Sequence, residues 1–425
     1  MNPFALCGGR PIYPSRLFED IETACRLIPN EEGVLLLTCN GRYEFSVALL
    51  AAWRSGRQIV LPPNLHAISL QRIRDQHIVA AELTDGFLAD KSTNAKADSG
   101  EYELRFEANT IAVTLYTSGS TGQPKPVRKT IGNLFSEAET LKSSLALPEG
   151  PLLASVPTYH LYGLTFSIIL PWVLGIPMVD ECPLHADEVS EAITTNKARI
   201  LVTVPVHLRA LLVQQISCSN LSVISSADRL DEEVAKRWYA QCGRDIIEIY
   251  GSSETGIIAQ RQQIANPLWR PFSGVNIEQN HDGLLRVASP FIHEDEGAMF
   301  QTQDLMTVGD GGFQLLGRSD SIVKIAGRRI SLLIVEEALK RCSGVVDAAV
   351  AAVPVQGHIR NMAIWAAVAT DEAEGISVRN IRAHLASELD NIKHPRRIVI
   401  VRSLPREENG KLRQERLMSL FRKES

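Results

Sequence analysis

Short apolar runs alternate with helix-length segments along the chain from residue 33 onwards. "GVLLLT" (33–38) is apolar on both faces of an extended chain, and "EFSVALLAAWRSG" (44–56) has the length and composition of a helix that ends at Gly56. The same alternation continues through further apolar runs: "TIAVTLYT", "LLASVP", "RILVTV", "LSVISS" and "DIIEIY". Strands that are apolar on both faces and separated by helices are typical of a parallel sheet covered on both sides. The pattern predicts a large α/β domain in which helices cover mostly parallel sheet.

The pattern changes after about residue 260. Pieces such as "HDGLLRVASP" and "GDGGFQLLGR" are short and bounded by turn residues, which predicts a small β subdomain. Beyond residue 320 the chain holds two predicted helices and three predicted strands: "LLIVEEALKRCS", "VRNIRAHLASEL", "VVDAAVAAVP", "NMAIWAAVAT" and "RRIVIVRSLP". A segment of this length suffices for a separate small α+β domain. We therefore expect two domains, residues 1–318 and residues 319–425.

Composition then narrows the class of protein. The 425 residues are 45% hydrophobic and 22% charged, with a formal net charge of -5, as in ordinary globular proteins. A net negative charge without a Lys/Arg-rich run argues against binding to nucleic acid. The most apolar stretch, 164–179, is interrupted by Pro and Gly, so we expect a buried helix followed by a core strand and no membrane span.

The cysteines and the N-terminal residues bear on the compartment. Seven cysteines are scattered without any C-x-x-C pair, which favours buried thiols in a reducing compartment over a disulfide framework or a zinc site. The first residues, "MNPFALCGGRPIYPSR", lack the charged start and long apolar run of a signal peptide. We expect a cytoplasmic protein.

The stretch "YTSGSTGQPKPV" (116–127) combines glycines and hydroxyl side chains with a basic end. Gly119 and Gly122 are too close together for the Walker A pattern, and Lys125 is followed by Pro126, so a P-loop ATPase motif is excluded. Backbone N–H groups and hydroxyls in such a loop can still surround phosphate oxygens, with Lys125 as an added cation. A Gly/Ser-rich surface linker is the alternative interpretation.

A second polar loop, "YGSSETG" (250–256), also follows a predicted buried strand. Because ligands bind at the carboxyl ends of parallel strands, we expect the two loops to lie at the same end of one sheet. A carboxylate beside a phosphate loop is what Mg²⁺ requires, which points to Glu254, and Tyr250 offers a flat face for a base. Taken alone, a loop glutamate is usually only solvated.

Two further stretches, "GRSDSIVKIAGRRI" (317–330) and "PREENGKLR" (405–413), are by themselves ordinary charged turns. In this order and spacing, however, the four stretches resemble the motifs of the adenylate-forming superfamily. That superfamily includes acyl- and aryl-CoA synthetases, nonribosomal-peptide adenylation domains and beetle luciferases. The resemblance extends over about residues 33–417.

The resemblance implies an ATP site, and it assigns residues to it. The residues implied to bind the nucleotide are Thr117, Ser118, Gly119, Ser120, Thr121, Gly122, Lys125, Ala227, Tyr250, Gly251, Ser253, Asp304, Arg318 and Lys324. Within this set, Tyr250 would lie against adenine, and Asp304 and Arg318 would contact the ribose. Glu254, together with Thr121, would bind Mg²⁺.

The same resemblance implies the catalytic residues Lys411, Glu254 and His160. Lys411 would bridge the carboxylate of the acid and the α-phosphate of ATP, since two anions must meet there. His160, in "PTYHLYG", would guard the acyl pocket, and a core histidine bonded to the backbone is the alternative. Asp320 would be the hinge about which a C-terminal lid domain carrying Lys411 turns.

The implied reaction uses ATP and Mg²⁺ to activate a small carboxylic acid as acyl-AMP, releases pyrophosphate, and transfers the acyl group to a thiol. The chain departs from the superfamily pattern at Gln303, where a glycine usually precedes the aspartate corresponding to Asp304. Only 115 residues precede the first loop motif, and 50 positions separate Glu254 from Asp304. This shortness resembles the AMP-ligases of bacterial aryl-polyene and related clusters, which load aromatic or fatty acids onto an acyl carrier protein.

We therefore expect an acid–thiol ligase that acts on an aromatic acid, such as a hydroxybenzoate or hydroxycinnamate, with an acyl carrier protein as acceptor. A ligase that uses free CoA is the first alternative. The alternative of another class is a non-catalytic nucleotide-binding homologue, for which Gln303 is the only sign.

Overall fold

The computed structural model describes residues 2–88, 103–118, 124–216, 218–325, 328–354, 362–370, 376–406, 412 and 414–423. The chain divides into two compact units. The first unit comprises Met1–Glu278, Arg286–Phe300 and Asp310–Gly312, and the second comprises Gln279–Leu285, Gln301–Gly309 and Phe313–Ser425. The expected domain boundary between residues 318 and 319 stays a prediction.

Helices and strands alternate through the first unit as the apolar pattern predicts. Its helices are α1 (Pro14–Leu27), α2 (Arg42–Arg54), α3 (Ala67–Gln76), α4 (Ile131–Ser144), α5 (Leu161–Leu164), α6 (Leu170–Leu174), α7 (Ala186–Asn196), α8 (Pro205–Gln214) and α9 (Glu232–Cys242). Its strands are β1 (Ala5–Cys7), β2 (Arg10–Ile12), β3 (Val34–Leu37), β4 (Ile59–Leu61), β5 (Val79–Leu83), β6 (Ile111–Ser118), β7 (Pro124–Thr130), β8 (Leu152–Ala154), β9 (Met178–Val179), β10 (Ile200–Thr203), β11 (Ser222–Ser225), β12 (Ile247–Ser252), β13 (Gly256–Gln262) and β14 (Asn266–Pro271).

The chain after β14 continues with shorter strands and then the C-terminal elements. The strands are β15 (Asn276–Gln279), β16 (Leu284–Ala288), β17 (Phe300–Gly309), β18 (Gly312–Arg318), β19 (Ile322–Ile325), β20 (Arg328–Ser331), β21 (Val345–Pro354), β22 (Met362–Thr370) and β23 (Arg397–Val401). The helices are α10 (Leu332–Lys340), α11 (Val378–Glu388) and α12 (Gln414–Lys423).

The smaller sheet of the first unit has the strand order β5-β3-β4-β6-β7. Strands β3, β4, β5 and β6 pair in parallel, and β3 is buried along its whole length, as expected for strands apolar on both faces. Strand β7 pairs antiparallel with β6 and forms the sheet edge. An edge tolerates Pro124 and Pro126, which cannot donate a backbone hydrogen bond to a further strand.

The larger sheet contains, within the first unit, the strand order β14-β13-β12-β11-β10-β8-β9-β1-β2. Strand β1 and strands β8 to β12 supply its parallel part, and β13 returns antiparallel to β12. Strands β6 and β12 therefore belong to different sheets, and the expectation that both polar loops leave one sheet is wrong. Apolar periodicity identifies strands but not their partners, and the chain closes the first sheet with the β6–β7 hairpin before it builds the second.

The C-terminal unit has its own three-stranded sheet and its own core. Strands β21 and β22 pair antiparallel, and β22 and β23 pair in parallel. Helices α10 and α11 bury an apolar stripe against one face of the sheet, with Val335, Leu339, Ile381 and Leu385 almost wholly inaccessible. The predicted fold class is confirmed: an α/β N-terminal domain of mostly parallel sheets with a small β subdomain, followed by a small α+β C-terminal domain.

The apolar stretch 164–179 forms buried helical turns that lead into β9, as expected. Within the ranges that the structure describes, no helix is both long and apolar enough to cross a membrane.

Two of the seven cysteines form a disulfide, which corrects the expectation of buried thiols. Cys218 and Cys242 are joined at a Cα–Cα distance of 5.1 Å, within the range that a disulfide spans. Cys218 precedes β11 and Cys242 ends α9, so the two meet only once α9 has packed on the sheet. Their separation of 24 positions offers no local pattern from which the pairing could be predicted.

Candidate active site

The first glycine-rich stretch forms the tip of the β6–β7 hairpin. In the antiparallel register Thr117 pairs with Lys125 and Ser118 pairs with Pro124, so the two arms close directly below the tip. The tip itself, with Gly119, Ser120, Thr121 and Gly122, lies outside the described residues, as do the side chains of Thr117 and Ser118.

Lys125, the expected phosphate cation, is paired with a carboxylate of the same unit. Its Nζ lies 2.9 Å from one carboxylate oxygen of Glu296 and 3.1 Å from the other. Three positions further along β7 there is a second ion pair, in which Arg128 Nη1 lies 3.0 Å from Asp295 Oδ2. Glu296 is 11% exposed and Lys125 is 55% exposed, so the lysine is the partner that solvent or a ligand can reach.

The second polar loop is the turn of the β12–β13 hairpin, with Gly251 opposite Ile257 and Ser252 opposite Gly256. A Cβ at Gly251 would lie 2.3 Å from the Gly256 carbonyl oxygen, and Gly256 has a φ of +68°, so both positions need glycine. The hydroxyls of Ser252 and Thr255 lie 3.0 Å apart and bond across the turn. Glu254 sits half-buried at this tightly closed turn.

Two residues that the motifs do not include connect the hairpins. Lys129, on β7, is fully buried, and its Nζ donates to the backbone carbonyls of Glu254 (3.0 Å) and Phe291 (2.6 Å). Glu137, on α4, is 1% exposed, and its Oε1 accepts the backbone N–H of Ile257 at 3.0 Å. The turn that carries Glu254 is thus held directly beside the strand that leaves the phosphate loop.

Burial governs the protonation of both side chains. It lowers the pKa of Lys129 to about 8, although the carboxylates of Glu137, Glu254 and Glu296 act in the opposite direction. Burial raises the pKa of Glu137 to about 7, opposed by Lys129 and by the Ile257 N–H. Both groups therefore lie close to their titration range at neutral pH.

The sequence contains a signal for both residues. In β7 the period of two places Lys129 on the same face as Val127, which is buried, and so predicts a charged side chain at a core position. In α4, Glu137 falls on the apolar stripe between Leu134 and Leu141. Charged side chains are rarely buried, so a charge at a core position of a strand or helix is informative.

The expected adenine side is assembled from β11 and β12. Ser226 Oγ donates to the Ile249 carbonyl at 2.7 Å, which ties the segment "SSADRL" (225–230) to the strand that carries Tyr250. Ala227, in this segment, has a φ of +71°, a conformation that L side chains rarely adopt. Such strain at a loop beside a candidate site suits a functional constraint.

The ring of Tyr250 is supported from behind. Its centroid lies 5.6 Å from that of Trp269, and the Arg261 guanidinium lies 4.5 Å from the Trp269 ring centroid. Glu248 holds Arg261 with two hydrogen bonds, at 2.8 Å and 3.0 Å. The Tyr250 ring therefore packs at a tilt of 54° on an indole that is itself held by the Arg261–Glu248 ion pair.

The expected ribose residues meet in the second unit. Arg318 Nη1 lies 3.9 Å from Asp304 Oδ1, and the Asp304 N–H donates to Thr302 Oγ1 at 3.0 Å. Gln303 lies within β17, whose extended backbone any residue adopts, and its side chain accepts a 2.7 Å hydrogen bond from Ser319. The structure thus accommodates glutamine at this position without a glycine.

His160 is half-buried at the N-terminal end of α5, with its ring centroid 4.8 Å from that of Tyr159. The hydroxyl of Tyr162 donates to the carbonyls of Thr203 (3.0 Å) and Ile224 (3.1 Å), at the ends of β10 and β11. The segment "PTYHLYG" therefore packs against the carboxyl ends of parallel strands, where a ligand pocket is expected.

The hinge and the catalytic lysine are the least described parts of the expected site. Asp320 lies in the 3-10 turn Ser319–Ser321, and Lys324 pairs with Arg329 between β19 and β20, but their side chains are not described. Lys411 lies outside the described residues. Their roles stay predictions.

The donor set of the first unit suits Mg²⁺ carried with nucleotide phosphates. In the described part of the chain, no three His, Cys, Asp or Glu side chains gather closely enough to hold a metal by themselves. Mg²⁺ bound with a nucleotide needs only one or two protein carboxylates, because phosphates and waters supply the remaining oxygens. Glu254, half-buried at a tightly closed turn beside the phosphate-loop strand, fits that requirement.

Comparison with known families decides the class of protein. The model of the AMP-binding enzyme family matches residues 63–278, and that of the AMP-binding enzyme C-terminal domain matches residues 334–411. The chain belongs to the AMP-binding enzyme family. It is therefore an adenylate-forming enzyme, of the class of AMP-forming acid–thiol ligases.

Two curated relatives illustrate this membership. The 4-coumarate–CoA ligase of Cereibacter sphaeroides is 30% identical over 309 residues, which cover 70% of this chain and 69% of the relative. The benzoate–CoA ligase of Thauera aromatica is 27% identical over 344 residues, covering 72% of this chain and 65% of the relative.

Solved structures share the fold of this chain. The o-succinylbenzoate coenzyme A synthetase of Bacillus subtilis, in complex with ATP and magnesium ion, aligns with a TM-score of 0.81 at 19% identity. The alignment covers 98% of this chain and 97% of that structure. At this identity the likeness establishes the fold alone.

Proposed function

We propose that this enzyme uses ATP and Mg²⁺ to activate an aromatic carboxylic acid as acyl-AMP, and then transfers the acyl group to a phosphopantetheine thiol. The observation that carries the proposal is the 3.0 Å hydrogen bond between Lys129 Nζ and the Glu254 carbonyl. It joins the arm of the proposed phosphate loop to the turn that carries the candidate metal carboxylate, and so brings the two proposed binding elements side by side.

The first step joins two anions. A carboxylate oxygen of the acid attacks the α-phosphorus of ATP, the bond between that phosphorus and its bridging oxygen breaks, and pyrophosphate leaves with the bonding electrons. Positive charge has to be supplied where the anions meet, and Lys411 is the residue proposed to supply it. When bound, Mg²⁺ neutralises phosphate charge and favours departure of pyrophosphate, and Glu254 would hold it.

The second step makes the thioester. The thiol sulfur attacks the acyl carbonyl carbon, the bond from that carbon to the AMP oxygen breaks, and the thiol proton passes to solvent. AMP and a thioester result. In the proposed cycle the C-terminal domain turns about Asp320 between the steps, which withdraws Lys411 and admits the thiol.

Nucleotide recognition follows from the remaining residues. Tyr250, backed by Trp269, offers adenine a fixed flat face. Asp304 is a hydrogen-bond acceptor for ribose hydroxyls, and Arg318 beside it balances its charge. Lys125 is the cation proposed to meet the pyrophosphate oxygens.

The names of the relatives support an aromatic acid, since the two described above act on 4-coumarate and on benzoate. Both names specify CoA as acceptor, which supports the alternative of a free-CoA ligase. The acyl carrier protein stays the predicted acceptor, on the resemblance to the aryl-polyene ligases. CoA and a carrier protein present the same phosphopantetheine thiol, so the attack of the thiol on acyl-AMP is the same with either acceptor.

The decisive experiment follows pyrophosphate release with ATP, Mg²⁺ and a panel of aromatic and fatty acids. Release that depends on an aromatic acid supports the proposal, and release with fatty acids alone overturns its substrate class. If no acid releases pyrophosphate, the non-catalytic alternative replaces it. Addition of CoA or of a phosphopantetheinylated carrier protein to the charged enzyme then identifies the acceptor by AMP release.

A further inference from the structure

We propose that Lys129, supported by Glu137, is a positioning residue that sets the Glu254 turn for metal binding. The inference rests on the proposed function of Glu254 as the residue that holds Mg²⁺. Lys129 and Glu137 lie outside the four motifs and contribute no group to the expected nucleotide contacts.

Lys129 attaches two separate segments to one strand. Its ammonium donates to the Glu254 carbonyl at 3.0 Å and to the Phe291 carbonyl at 2.6 Å, from a side chain with no exposed surface. These contacts span 125 and 162 positions of the chain. The carbonyl of Glu254 belongs to the same residue whose carboxylate is proposed to hold the metal, so Lys129 fixes the backbone from which that carboxylate extends.

Glu137 holds the other side of the same turn. Its Oε1 accepts the Ile257 N–H at 3.0 Å, and its Oε2 lies 3.4 Å from Thr165 Oγ1. A Cβ built on Gly256 would lie 3.2 Å from Glu137 Oε2, so the carboxylate packs directly against the turn. The backbone on either side of the Glu254 carboxylate is thus held by the Lys129 ammonium, which bonds the Glu254 carbonyl, and by the Glu137 carboxyl group, which accepts the N–H three residues later.

Packing by itself does not require a charged pair at this place. A buried ammonium and a buried carboxylate both lose hydration, and a well-packed hydrophobic substitute is often as stable or more stable. What an apolar residue cannot do is bond two carbonyls at once. Because the Lys129 bonds end on the candidate metal residue, we assign this pair to placement of Glu254 rather than to packing.

The test substitutes Lys129→Met, which keeps an unbranched side chain that ends one atom short of the ammonium it removes. Binding of Mn²⁺ in the presence of ATP is measured by electron paramagnetic resonance, and amide hydrogen exchange is followed over residues 250–258 in the protein without ligands. We expect about tenfold weaker Mn²⁺ binding and faster exchange at the turn. Lys142→Met is the matched control, because Lys142 is an exposed lysine on α4 that donates to the Val173 carbonyl.

Two further variants test the positioning role independently of Lys129→Met. Glu137→Gln retains the shape of the side chain and should weaken Mn²⁺ binding by a smaller factor. Lys129→Gln is uncharged and one bond shorter than lysine, so it also lacks the ammonium that holds both carbonyls, and it provides the measurement if Lys129→Met does not fold. A variant that is less stable to heat but binds Mn²⁺ as the unmodified enzyme does would overturn the inference, since that result indicates packing alone.

Glu254→Gln separates this inference from the function on which it rests. Weaker Mn²⁺ binding in Glu254→Gln but not in the Lys129 variants overturns the positioning role and leaves the metal role of Glu254 standing. Unchanged binding in Glu254→Gln overturns the metal role and the positioning role with it. Weaker binding in both sets supports both.

Discussion

The Lys125 ammonium lies 2.9 Å from the Glu296 carboxylate, so the cation expected to meet ATP phosphates is held by an acid of its own unit. The carboxylate is 11% exposed and is fixed in the 3-10 turn Glu294–Glu296, whereas the lysine is 55% exposed. An incoming phosphate therefore competes with Glu296 for the same charge. The pair is partly exposed, and its contribution to stability is correspondingly small.

Removal of this competition should strengthen ATP binding. We expect Glu296→Gln to lower the KM for ATP by about threefold, because an exposed ion pair is worth roughly 0.2–1 kcal/mol. The measurement is acid-dependent pyrophosphate release over a range of ATP concentrations. Asp295→Asn, which removes the neighbouring pair with Arg128, is the control and should leave the KM unchanged. A higher KM in Glu296→Gln would mean that the glutamate positions Lys125 rather than competes for it.

The contact of Asp304 with ribose is testable with a nucleotide analogue. Asp304→Ala should raise the KM for ATP by about tenfold to a hundredfold, because a charged hydrogen bond contributes roughly 1.5–3 kcal/mol. With 2′-deoxy-ATP the same substitution should have a smaller effect, since one of the two hydroxyls is missing. Equal losses with both nucleotides would argue against a ribose contact.

Gln303 provides a neighbouring test of a different kind. Because it lies in extended backbone and bonds to Ser319, the glycine that is usual in the superfamily is not required by its conformation. Gln303→Gly should therefore leave the KM for ATP within about twofold of the value for the unmodified enzyme. A gain of activity larger than about tenfold would instead support the hypothesis that Gln303 impairs the site.

The two half-reactions should separate at Lys411. Lys411→Ala is expected to reduce acyl-AMP formation by about a thousandfold or more, on the scale of the loss of a principal electrostatic catalyst. Thioester formation from supplied acyl-AMP should be nearly unaffected, because the thiol attacks only after the lysine has withdrawn. Quenched assays of acyl-AMP formation and of thioester formation from supplied acyl-AMP measure the two rates separately. Equal loss of both steps would contradict the alternation of domains about Asp320.

Glu137 should make stability depend on pH in a defined window. Its pKa is raised by burial from 4.5 to about 7 in the folded chain. The folded state therefore holds the proton more tightly than the unfolded state, so this contribution is complete below about pH 4.5 and is lost as the pH rises to about 7. Lys129, with its pKa lowered to about 8, stays protonated through this window.

Thermal unfolding of the unmodified enzyme and of Glu137→Gln measures that contribution. Between pH 4.5 and pH 7 the unmodified enzyme should lose stability relative to the variant, by on the order of 3 kcal/mol. Glutamine does not titrate, so the difference between the two unfolding curves isolates residue 137. A difference that does not change with pH would show that the buried carboxyl titrates near its ordinary value.

Substitution of Ala227 by glycine should relieve backbone strain and stabilise the folded protein. At a φ of +71° a glycine has no Cβ to clash, so Ala227→Gly should raise the free energy of unfolding by about 1 kcal/mol. Ala227→Val should lower it, because a branched Cβ is less tolerated in this conformation. Denaturant unfolding provides the measurement, and a stabilising valine would contradict the left-handed backbone at this position.

Local sequence patterns were sufficient to predict the class of this protein and most of its helices and strands. Fully apolar runs such as Val34–Leu37 predicted buried parallel strands, and the order of four polar motifs predicted an adenylate-forming enzyme before any fold was known. The family comparison confirms that membership, and the fold class is confirmed as well. A helix or strand is specified largely by residues within a few positions of one another, so apolar periodicity and turn residues suffice to predict it.

Contacts between distant segments became apparent only in the folded chain. It assigned β6 and β12 to different sheets, joined Cys218 to Cys242, and brought the Lys129 ammonium to a carbonyl 125 positions away. The period of two in β7 could show that Lys129 points inward, but no local pattern specifies what a buried ammonium will meet. Its partners depend on how two sheets pack, and that packing is a property of the whole chain.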